Sequence, residues 1–297
     1  MAPRFAWVLN LDADVELERG ASYAPTLRTR EGMAPHIATV ANTLLSGDDV
    51  LVDESTPAAS LAKASPPFTG RAFSPTPRAI RILARAGVTH PPAPSVEILK
   101  RVNSRQFCAE LGATLPTSGF VTTMDDARAL LERDPVVASA FRLKRAHGMT
   151  GRGQRVVPRG VPTGDDLSFL RRAVDEGGVQ IEPNVAVERE LSLHGLLETD
   201  GALRIGNLVE QTSDARGAWT SSRLATHLSG IEREEEALRL ELAGVGRALH
   251  AAAYFGPFGV DAFLYRDLAG GLHFQPRSEI NARYSMGFGI GFATHTH

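Results

Sequence analysis

The 297-residue sequence predicts a globular α/β (α+β) fold made of three consecutive units. In the first two thirds of the chain, short strand-like runs alternate with amphipathic helical segments, which is typical of α/β domains. The last third is mostly strand-like and contains one long helical segment, which favours an antiparallel sheet with a covering helix. Hydrophobic residues make up 43% of the chain, enough to form the cores of such units.

Composition and charge argue against several classes of function. The 32 Lys and Arg residues nearly balance the 34 Asp and Glu residues, so the net charge of −2 gives no electrostatic reason to expect a nucleic acid or a membrane as partner. The single cysteine, Cys108, excludes an intramolecular disulfide and a zinc site built from several cysteines. No apolar run approaches the roughly 20 residues of a membrane-spanning helix, and no signal peptide is recognisable. We therefore expect a cytoplasmic protein; its oligomeric state stays open.

Residues 1–94 are predicted to form a small α/β domain. The strand “FAWVLNL” precedes a helix in “HIATVANTLLSG” and a short strand, “VLVDE”, and a loop rich in Pro, Ser and Ala then runs to Pro75. A capped helix follows in “SPTPRAIRILARAGV”, where an early Pro and a final Gly mark its two ends. Asp12 and Asp14 come directly after the first strand, where α/β sheets often bind ligands, although turns have the same composition.

A linker, “THPPAPS”, leads to two further units, residues 95–178 and 179–297. The second unit is predicted to contain, in order, a capped helix in “NSRQFCAELG”, a strand in “GFVTT”, a helix, the strand “VVASAFRLK”, a glycine-rich turn into another strand, and a helix in “DDLSFLRRAVDEGG”. The third unit is predicted to contain the strands “VQIEP”, “ELSLHGLLET” and “LRIGNLVEQT”, a long helix, and a hairpin that begins at “FGVDAFLY”. Before the long helix, residues 213–227 are expected to form a loop that includes Trp219.

The glycine-rich turn is a candidate phosphate-binding element. It matches neither the P-loop nor the dinucleotide-binding pattern, since it lies between two strands. Gly148, Gly151 and Gly153 would let such a hairpin approach a phosphate chain closely and offer backbone N–H donors, and Lys144 ends the preceding strand. The same pattern is also typical of a flexible surface hairpin with a solvated lysine.

The segment “VQIEPNVAVERELSLHG” is a candidate nucleoside-binding hinge. A short apolar strand ends at Glu182, and Glu190 enters the next strand. Backbone groups over residues 181–185 are suited to the edge of a purine, and a carboxylate such as Glu190 is suited to ribose hydroxyls. The alternative is that both glutamates are surface residues at strand ends.

A polar row interrupts the last apolar hairpin. Glu279, Asn281 and Arg283 are two residues apart, so in a strand their side chains lie on one face. If the two runs pair, Asp261 on the preceding run converges on the same point. Carboxylate and amide oxygens suit Mg²⁺ or Mn²⁺ and argue against zinc. The structural alternative is that Glu279 and Asn281 are exposed residues of an edge strand.

In this order, the segments resemble the ATP-grasp superfamily over about Ser95 to Phe292, with an amino-terminal domain of the pre-ATP-grasp type. The order of the motifs is more specific than any single motif. The resemblance implies that Lys144 contacts the nucleotide phosphates and that the loop “HGMTGRG” covers them. It further implies adenine recognition at Glu182 and Val185, ribose binding by Glu190, metal binding by Asp261, Glu279 and Asn281, and a phosphate or acyl contact from Arg283.

One position departs from the family pattern. Many members carry an earlier lysine in an “NDK”-like segment that contacts the nucleotide, whereas this chain has “NSR”. Arg105 is one candidate for the missing contact, and Lys100 is the other.

The resemblance implies an ATP- and Mg²⁺-dependent ligase that joins a carboxylic acid to an amine through an acylphosphate and releases ADP and phosphate. Lys144 and Arg283 would act on the transferred group, and the substrates would be small molecules or peptides. His147 and His194 stay open as acid–base candidates, since no Ser, Cys or His triad can be assembled. Two alternatives remain: a kinase-like phosphoryl transfer, and a non-catalytic ATP-binding module that acts as partner in a biosynthetic complex.

Overall fold

The computed structural model describes residues 3–112, 114–148, 153–160, 162–214 and 219–293, and it contains three β-sheets flanked by helices. This arrangement confirms the predicted α/β class. Within the described residues, no helix combines the length and the apolar character that crossing a bilayer requires.

The amino-terminal sheet has three parallel strands in the order β2-β1-β3. Its unit consists of β1 (Arg4–Val8), α1 (Ala13–Arg19), α2 (Leu27–Leu44), β2 (Val50–Leu51), β3 (Phe68–Ala72) and α3 (Pro77–Ala86). The prediction of α3 is confirmed: the side chain of Thr76 accepts a hydrogen bond from the backbone N–H of Ala79, and the helix ends at Gly87 with a left-handed φ of +86°. Its apolar face packs on the sheet.

Two predictions for this unit were wrong. β3 lies inside the segment predicted to be a loop, because β1 offers it a parallel partner along its whole length. α2 begins at Leu27 rather than at His36, because Thr26 caps it by accepting a hydrogen bond from the backbone N–H of Thr29. The helix then continues through Pro35.

The second sheet has four antiparallel strands in the order β4-β7-β5-β6. The elements of this unit are α4 (Val96–Val102), α5 (Arg105–Glu110), β4 (Gly119–Val121), α6 (Met124–Leu131), β5 (Ala140–Arg145), β6 (Gln154–Pro158), α7 (Gly164–Asp175) and β7 (Val179–Pro183). Helices α6 and α7 cover one face of the sheet around a core that includes Phe141, Leu143 and Ile181. β7 extends this sheet beyond the predicted unit boundary at residue 178.

The third sheet has six strands in the order β11-β10-β8-β12-β13, and β9 pairs with β8. Its elements are β8 (Ala186–Leu197), β9 (Leu203–Ile205), β10 (Val209–Ser213), β11 (Trp219–Leu224), α8 (Glu232–Ala251), β12 (Gly256–Arg266), β13 (Leu272–Asn281) and α9 (Phe288–Gly291). Leu238, Leu242, Val245 and Leu249 of α8 are buried against the sheet, as the helical spacing of these residues predicts.

Part of the predicted loop 213–227 is the strand β11, which pairs antiparallel with β10. The prediction of a loop was wrong here because “WTSSRL” is mostly polar. Three residues of β11 are exposed on the outer edge of the sheet, so the strand is held by its backbone pairing rather than by an apolar face.

The segment that follows β13 docks on the amino-terminal unit. The backbone N–H of Tyr284 donates to the carbonyl of Phe73 at 3.0 Å, and its ring packs edge-on against Trp7 with centroids 5.1 Å apart. Further along, α9 approaches α2 so closely that a Cβ on Gly289 would lie 2.3 Å from the carbonyl oxygen of Thr43. The amino-terminal unit therefore holds both ends of the segment that begins at Arg283.

Gly289→Ala should lower the free energy of unfolding, because the added methyl group cannot fit against the backbone of α2. Gly244→Ala is the matched control: Gly244 lies inside α8, where a Cβ would meet only the end of Arg247 at 3.8 Å, so alanine should stabilise by up to about 1 kcal/mol. Urea denaturation of both variants checks this pair. Equal stability of the two variants would contradict the close packing of α9 on α2.

Candidate active site

A cavity of about 600 Å³ lies between the second and third sheets. It brings together residues from separate parts of the sequence: Arg105, Lys144, Gly148, Glu182, Val185, Glu190, Asp261, Glu279, Asn281 and Arg283. Of the remaining predicted site residues, Gly153 lies outside this lining, and Gly151 lies outside the described residues. The candidate residues therefore share one cavity although they come from five strands, one helix and three connecting segments.

The β12–β13 hairpin carries the candidate metal ligands. Asp261 lies directly opposite Glu279 in the antiparallel register, next to a bulge in β12. The amide nitrogen of Asn281 donates to one Asp261 oxygen at 2.8 Å, and that of Gln211 donates to the other at 2.8 Å. The three predicted ligands therefore lie side by side on the cavity face of the sheet.

Burial and charge repulsion disfavour the ionised form of Asp261. Removal from water, followed by the neighbouring carboxylate of Glu279, raises the pKa of Asp261 to about 6, although hydrogen bonds from Ser192 and Gln211 act in the opposite direction. A bound cation would relieve both unfavourable effects.

The donors fit a hard divalent ion. Asn281 uses its amide nitrogen in the bond to Asp261, which leaves its carbonyl oxygen available beside the two carboxylates. Among the described residues, no group of three or more His, Cys, Asp or Glu side chains is placed to hold a metal. An ion here would depend on an amide oxygen and on water in addition to two carboxylates, which suits Mg²⁺ because it keeps several waters.

Lys144 and Glu182 form a nearly buried ion pair in the cavity. Their charged atoms are 2.6 Å apart, and the side chains are 11% and 6% exposed. Adjacent antiparallel strands, β5 and β7, supply the two residues. Lys144 is therefore held in place, and Glu182 neutralises its charge.

Arg105, rather than Lys100, reaches the cavity. Its guanidinium donates to Glu279 at 2.9 Å and to the carbonyl of Arg145 at 2.8 Å. Lys100 is exposed, and its carbonyl lies 3.0 Å from the Nε2 atom of His147. The helix α5 places Arg105 at its first position, which explains how a residue outside the polar row reaches the candidate metal ligands.

Arg283 is held by a residue that the sequence suggested only weakly. Asp14 of α1 accepts from the Nε and a terminal nitrogen of Arg283 at 3.2 and 2.6 Å, and a third donor of the guanidinium bonds the carbonyl of Tyr284 at 3.1 Å. A guanidinium has five N–H donors, so two remain, one on each terminal nitrogen. The only signal for Asp14 in the sequence was its position after the first strand.

The hinge and its carboxylate also face the cavity. The backbone N–H of Val185 donates to the carbonyl of Pro183 at 3.1 Å, so these two groups satisfy each other. Glu190 accepts a hydrogen bond from the hydroxyl of Ser213 at 2.5 Å. The Val185 N–H, the Pro183 carbonyl and the Glu190 carboxylate are therefore hydrogen-bonding groups that a nucleoside could use in place of their present partners.

The two described glycines of the loop differ in position. Gly148 lines the cavity. Gly153 has a φ of +77°, and a Cβ there would lie 3.1 Å from the side chain of Arg145, so glycine suits this turn into β6.

His194 lies outside the cavity lining and is fully buried. Its Nε2 atom lies 3.1 Å from the hydroxyl of Ser192, which also hydrogen-bonds Asp261. Burial lowers the pKa of His194 to about 3. The neutral imidazole therefore supports the hydroxyl that contacts Asp261.

No family model matches the sequence. No curated protein matches it either. The chain resembles many solved structures, among them the following three. An N5-carboxyaminoimidazole synthetase from Staphylococcus aureus complexed with ADP is 12% identical over 95% of this chain and 71% of that chain, with a TM-score of 0.52.

A biotin carboxylase from Campylobacter jejuni in a β,γ-ATP complex is 15% identical over 98% of this chain and 72% of that chain, with a TM-score of 0.53. D-alanyl-alanine synthetase A from Vibrio cholerae O1 biovar eltor is 14% identical over 100% of this chain and 95% of that chain, with a TM-score of 0.50. At these identities the likeness establishes a shared fold.

Asp14→Ala should destabilise the protein by about 3–5 kcal/mol, because it leaves the nearly buried guanidinium of Arg283 without its carboxylate. The double variant Asp14→Ala/Arg283→Met should recover part of this loss, since it removes both charges. Asp125→Ala is the control, because Asp125 also lies in the first turn of a helix but is 95% exposed, and its ion pair contributes less than about 1 kcal/mol. Urea denaturation measures all three; equal effects of the two single substitutions would contradict the role given to Asp14.

Acid should destabilise the wild type more than the variant His194→Gln. The folded state keeps His194 neutral to about pH 3, whereas the unfolded chain takes up a proton near the usual pKa of 6.5. Above about pH 6.5, His194 is neutral in both states and its burial does not make the free energy of unfolding depend on pH. Below that pH, the unfolded state binds a proton that the folded state does not, so the free energy of unfolding falls by at most about 1.4 kcal/mol per pH unit. Denaturation curves between about pH 7 and pH 5 test this difference, and parallel curves for the two proteins would refute it.

Proposed function

Because the chain has the ATP-grasp fold, we propose that it is an ATP- and Mg²⁺-dependent ligase that joins a carboxylic acid to an amine and releases ADP and phosphate. One observation carries the proposal: the cavity combines a cluster of oxygen ligands at Asp261, Glu279 and Asn281 with the cations Arg105 and Lys144. The nucleotides named in two of the similar structures support ATP as the phosphoryl donor.

In this proposal, the hinge and the strands beside it bind the nucleotide. The carbonyl of Pro183 and the N–H of Val185, which now bond each other, are freed to contact the edge of adenine. Glu190 accepts hydrogen bonds from the ribose hydroxyls, and Lys144 binds phosphate oxygens. A phosphate oxygen would replace Glu182 as the partner of Lys144, so the lysine would have an anionic partner both with and without the nucleotide.

Asp261, Glu279 and Asn281 would hold Mg²⁺ or Mn²⁺. The ion supplies positive charge that offsets the negative charge of the transferring phosphoryl group. A Glu279 carboxylate that ligates the ion would bind Arg105 less strongly, so the guanidinium of Arg105 would be available to a phosphate oxygen. Metal and nucleotide would therefore favour each other's binding. The metal would draw Glu279 away from Arg105, and the phosphate would draw Arg105 away from Glu279.

The reaction divides into two displacements. A carboxylate oxygen of the first substrate attacks the γ-phosphorus, the bond to the β-phosphate oxygen breaks, and ADP leaves while an acylphosphate forms. The amine then attacks the acyl carbon, the bond to the phosphate oxygen breaks, and phosphate leaves as the amine loses a proton. Arg283 has two unused N–H donors with which to orient the phosphate or acyl oxygens, while Asp14 holds the guanidinium plane.

The second substrate would bind beyond the polar row. Trp219, Ser285 and Met286 also line the cavity, and they provide an aromatic and an apolar surface beside a serine. The amino-terminal unit reaches the same region through Asp14. We propose a small molecule or a peptide with a free amine as the second substrate.

A second candidate is a nucleotide-binding module without turnover. The observation that favours it is the internal pairing of charges, since Lys144, Arg105 and Arg283 each already contact a carboxylate. A kinase-like enzyme would share the first displacement and stop at the phosphorylated product. ADP release separates the three possibilities. A ligase needs both an acid and an amine for continued release, a kinase-like enzyme needs only the acid, and a binding module releases no ADP.

ATP with Mg²⁺ should raise the melting temperature of the wild type, with a stabilisation of about 2.7 kcal/mol when ATP is at 100 times its Kd. The shift should disappear in Lys144→Ala, and Glu279→Gln should lose the dependence on Mg²⁺. Lys100→Ala is the matched control, because this lysine is exposed and lies outside the cavity lining. Each shift is measured against the same variant without ligand, so changes in basal stability cancel.

ADP release is then screened with amino acids and peptides. Amine-dependent release that Glu279→Gln abolishes supports the ligase. A shift without turnover would support the binding module, and the absence of any shift in the wild type would overturn the proposal.

A further inference from the structure

Arg142 lines the cavity but has no place in the function described so far. It lies on β5 two residues before Lys144, so both side chains lie on the cavity face of this strand. Unlike Lys144, Arg142 forms no ion pair within 4.0 Å in the described part of the chain. Its partners are two neutral amides, the side chains of Asn184 and Gln154.

The direction of β5 places Arg142 near the hinge. At one end of the strand, the carbonyl of Ala140 accepts from the backbone N–H of Asn184 in the hinge. At the other end, the carbonyl of Arg145 accepts from Arg105, which contacts Glu279. Successive strand residues advance by about 3.3 Å, so Arg142 is about 10 Å nearer to the hinge than the end of β5 beside the candidate metal ligands.

The guanidinium of Arg142 is held rigidly. Its Nε and one terminal nitrogen donate to the Asn184 oxygen at 3.1 and 2.7 Å, and the other terminal nitrogen donates to the Gln154 oxygen at 3.0 Å. These bonds come from strands or segments on both sides of β5, so they orient the flat group. A ligand therefore meets an ordered, planar cation that forms no ion pair with a carboxylate of the described residues.

We propose that Arg142 binds the base of the nucleotide by stacking its guanidinium on the purine ring. The inference rests on the proposed function, because it takes the hinge end of the cavity as the base site. A planar guanidinium stacks on aromatic faces, and an unneutralised one is attracted to their electron-rich π system. Stacking of this kind tolerates different bases, so Arg142 contributes to affinity for both adenine and guanine nucleotides.

The competing role for an arginine in this cavity is a phosphate contact. Phosphate oxygens are expected beside Lys144 and the ligands on β12 and β13, whereas Arg142 lies towards the hinge. Tripolyphosphate separates the two roles, because it keeps the phosphate chain of ATP and lacks the base.

The experiment titrates Mg-ATP and Mg-tripolyphosphate separately into wild type, Arg142→Met and the control Arg159→Met, and it follows binding by calorimetry. Arg159 is an exposed arginine directly after the next strand, β6, and its ion pair with Asp134 lies outside the cavity. Arg142→Met should weaken Mg-ATP binding by about 5- to 30-fold, the range of a desolvated cation–π contact, and leave Mg-tripolyphosphate binding unchanged. Arg159→Met should leave both unchanged.

Equal loss of both ligands in Arg142→Met would assign the residue to the phosphates and overturn the inference. Unchanged Mg-ATP binding would also overturn it, while the proposed function stands. If the wild type binds neither ligand, the proposed function fails and the inference fails with it. Arg142→Lys serves if Arg142→Met does not fold: it keeps the charge and loses the plane, so Mg-ATP should still bind less tightly, and full wild-type affinity would overturn the stacking.

Discussion

Two carboxylates that face each other across one hairpin are the constraint on which the rest of this site depends. Asp261 and Glu279 are direct cross-strand neighbours, and like charges in that position repel each other. The protein offsets the repulsion with amide donors from Gln211 and Asn281 and with the guanidinium of Arg105. Because these groups come from separate elements, the electrostatic balance of one hairpin depends on where helix α5 and strand β10 lie.

Three cations of the cavity each form an ion pair with a carboxylate. Lys144 pairs with Glu182, Arg105 with Glu279, and Arg283 with Asp14. The pairs avoid the high cost of isolated charges in a partly desolvated cavity. In the proposed reaction, two of the pairs open when phosphate and metal take the place of the protein partners, so binding is an exchange of ionic contacts rather than their creation.

The amino-terminal unit is coupled to the site through one short segment. Asp14 holds the side chain of Arg283, and the backbone of Tyr284 bonds to the end of β3. The glycine contact between α9 and α2 continues this attachment. The position of Arg283 therefore depends on a unit that lies at the opposite end of the chain, which explains why its partner lies 269 residues away in the sequence.

The sequence alone determined the features that local chemistry controls. Helix α3 follows from its Thr76 cap and its final glycine, and helix α8 follows from the spacing of its apolar residues. The common face of Glu279 and Asn281 follows from strand alternation, and the resemblance in motif order anticipated the fold that the solved structures share. These features depend on residues close in the chain or on repeated patterns.

Only the tertiary structure decided the features that depend on distant partners. Strands β3 and β11 exist because neighbouring strands bond their backbones, a condition that their own residues do not encode. The choice of Arg105 over Lys100 depends on where α5 docks, and the pairing of Asp14 with Arg283 depends on the packing of the first unit on the last. The physical reason is the same in each case: hydrogen bonds and ion pairs act over a few ångströms in space, whatever the separation along the chain.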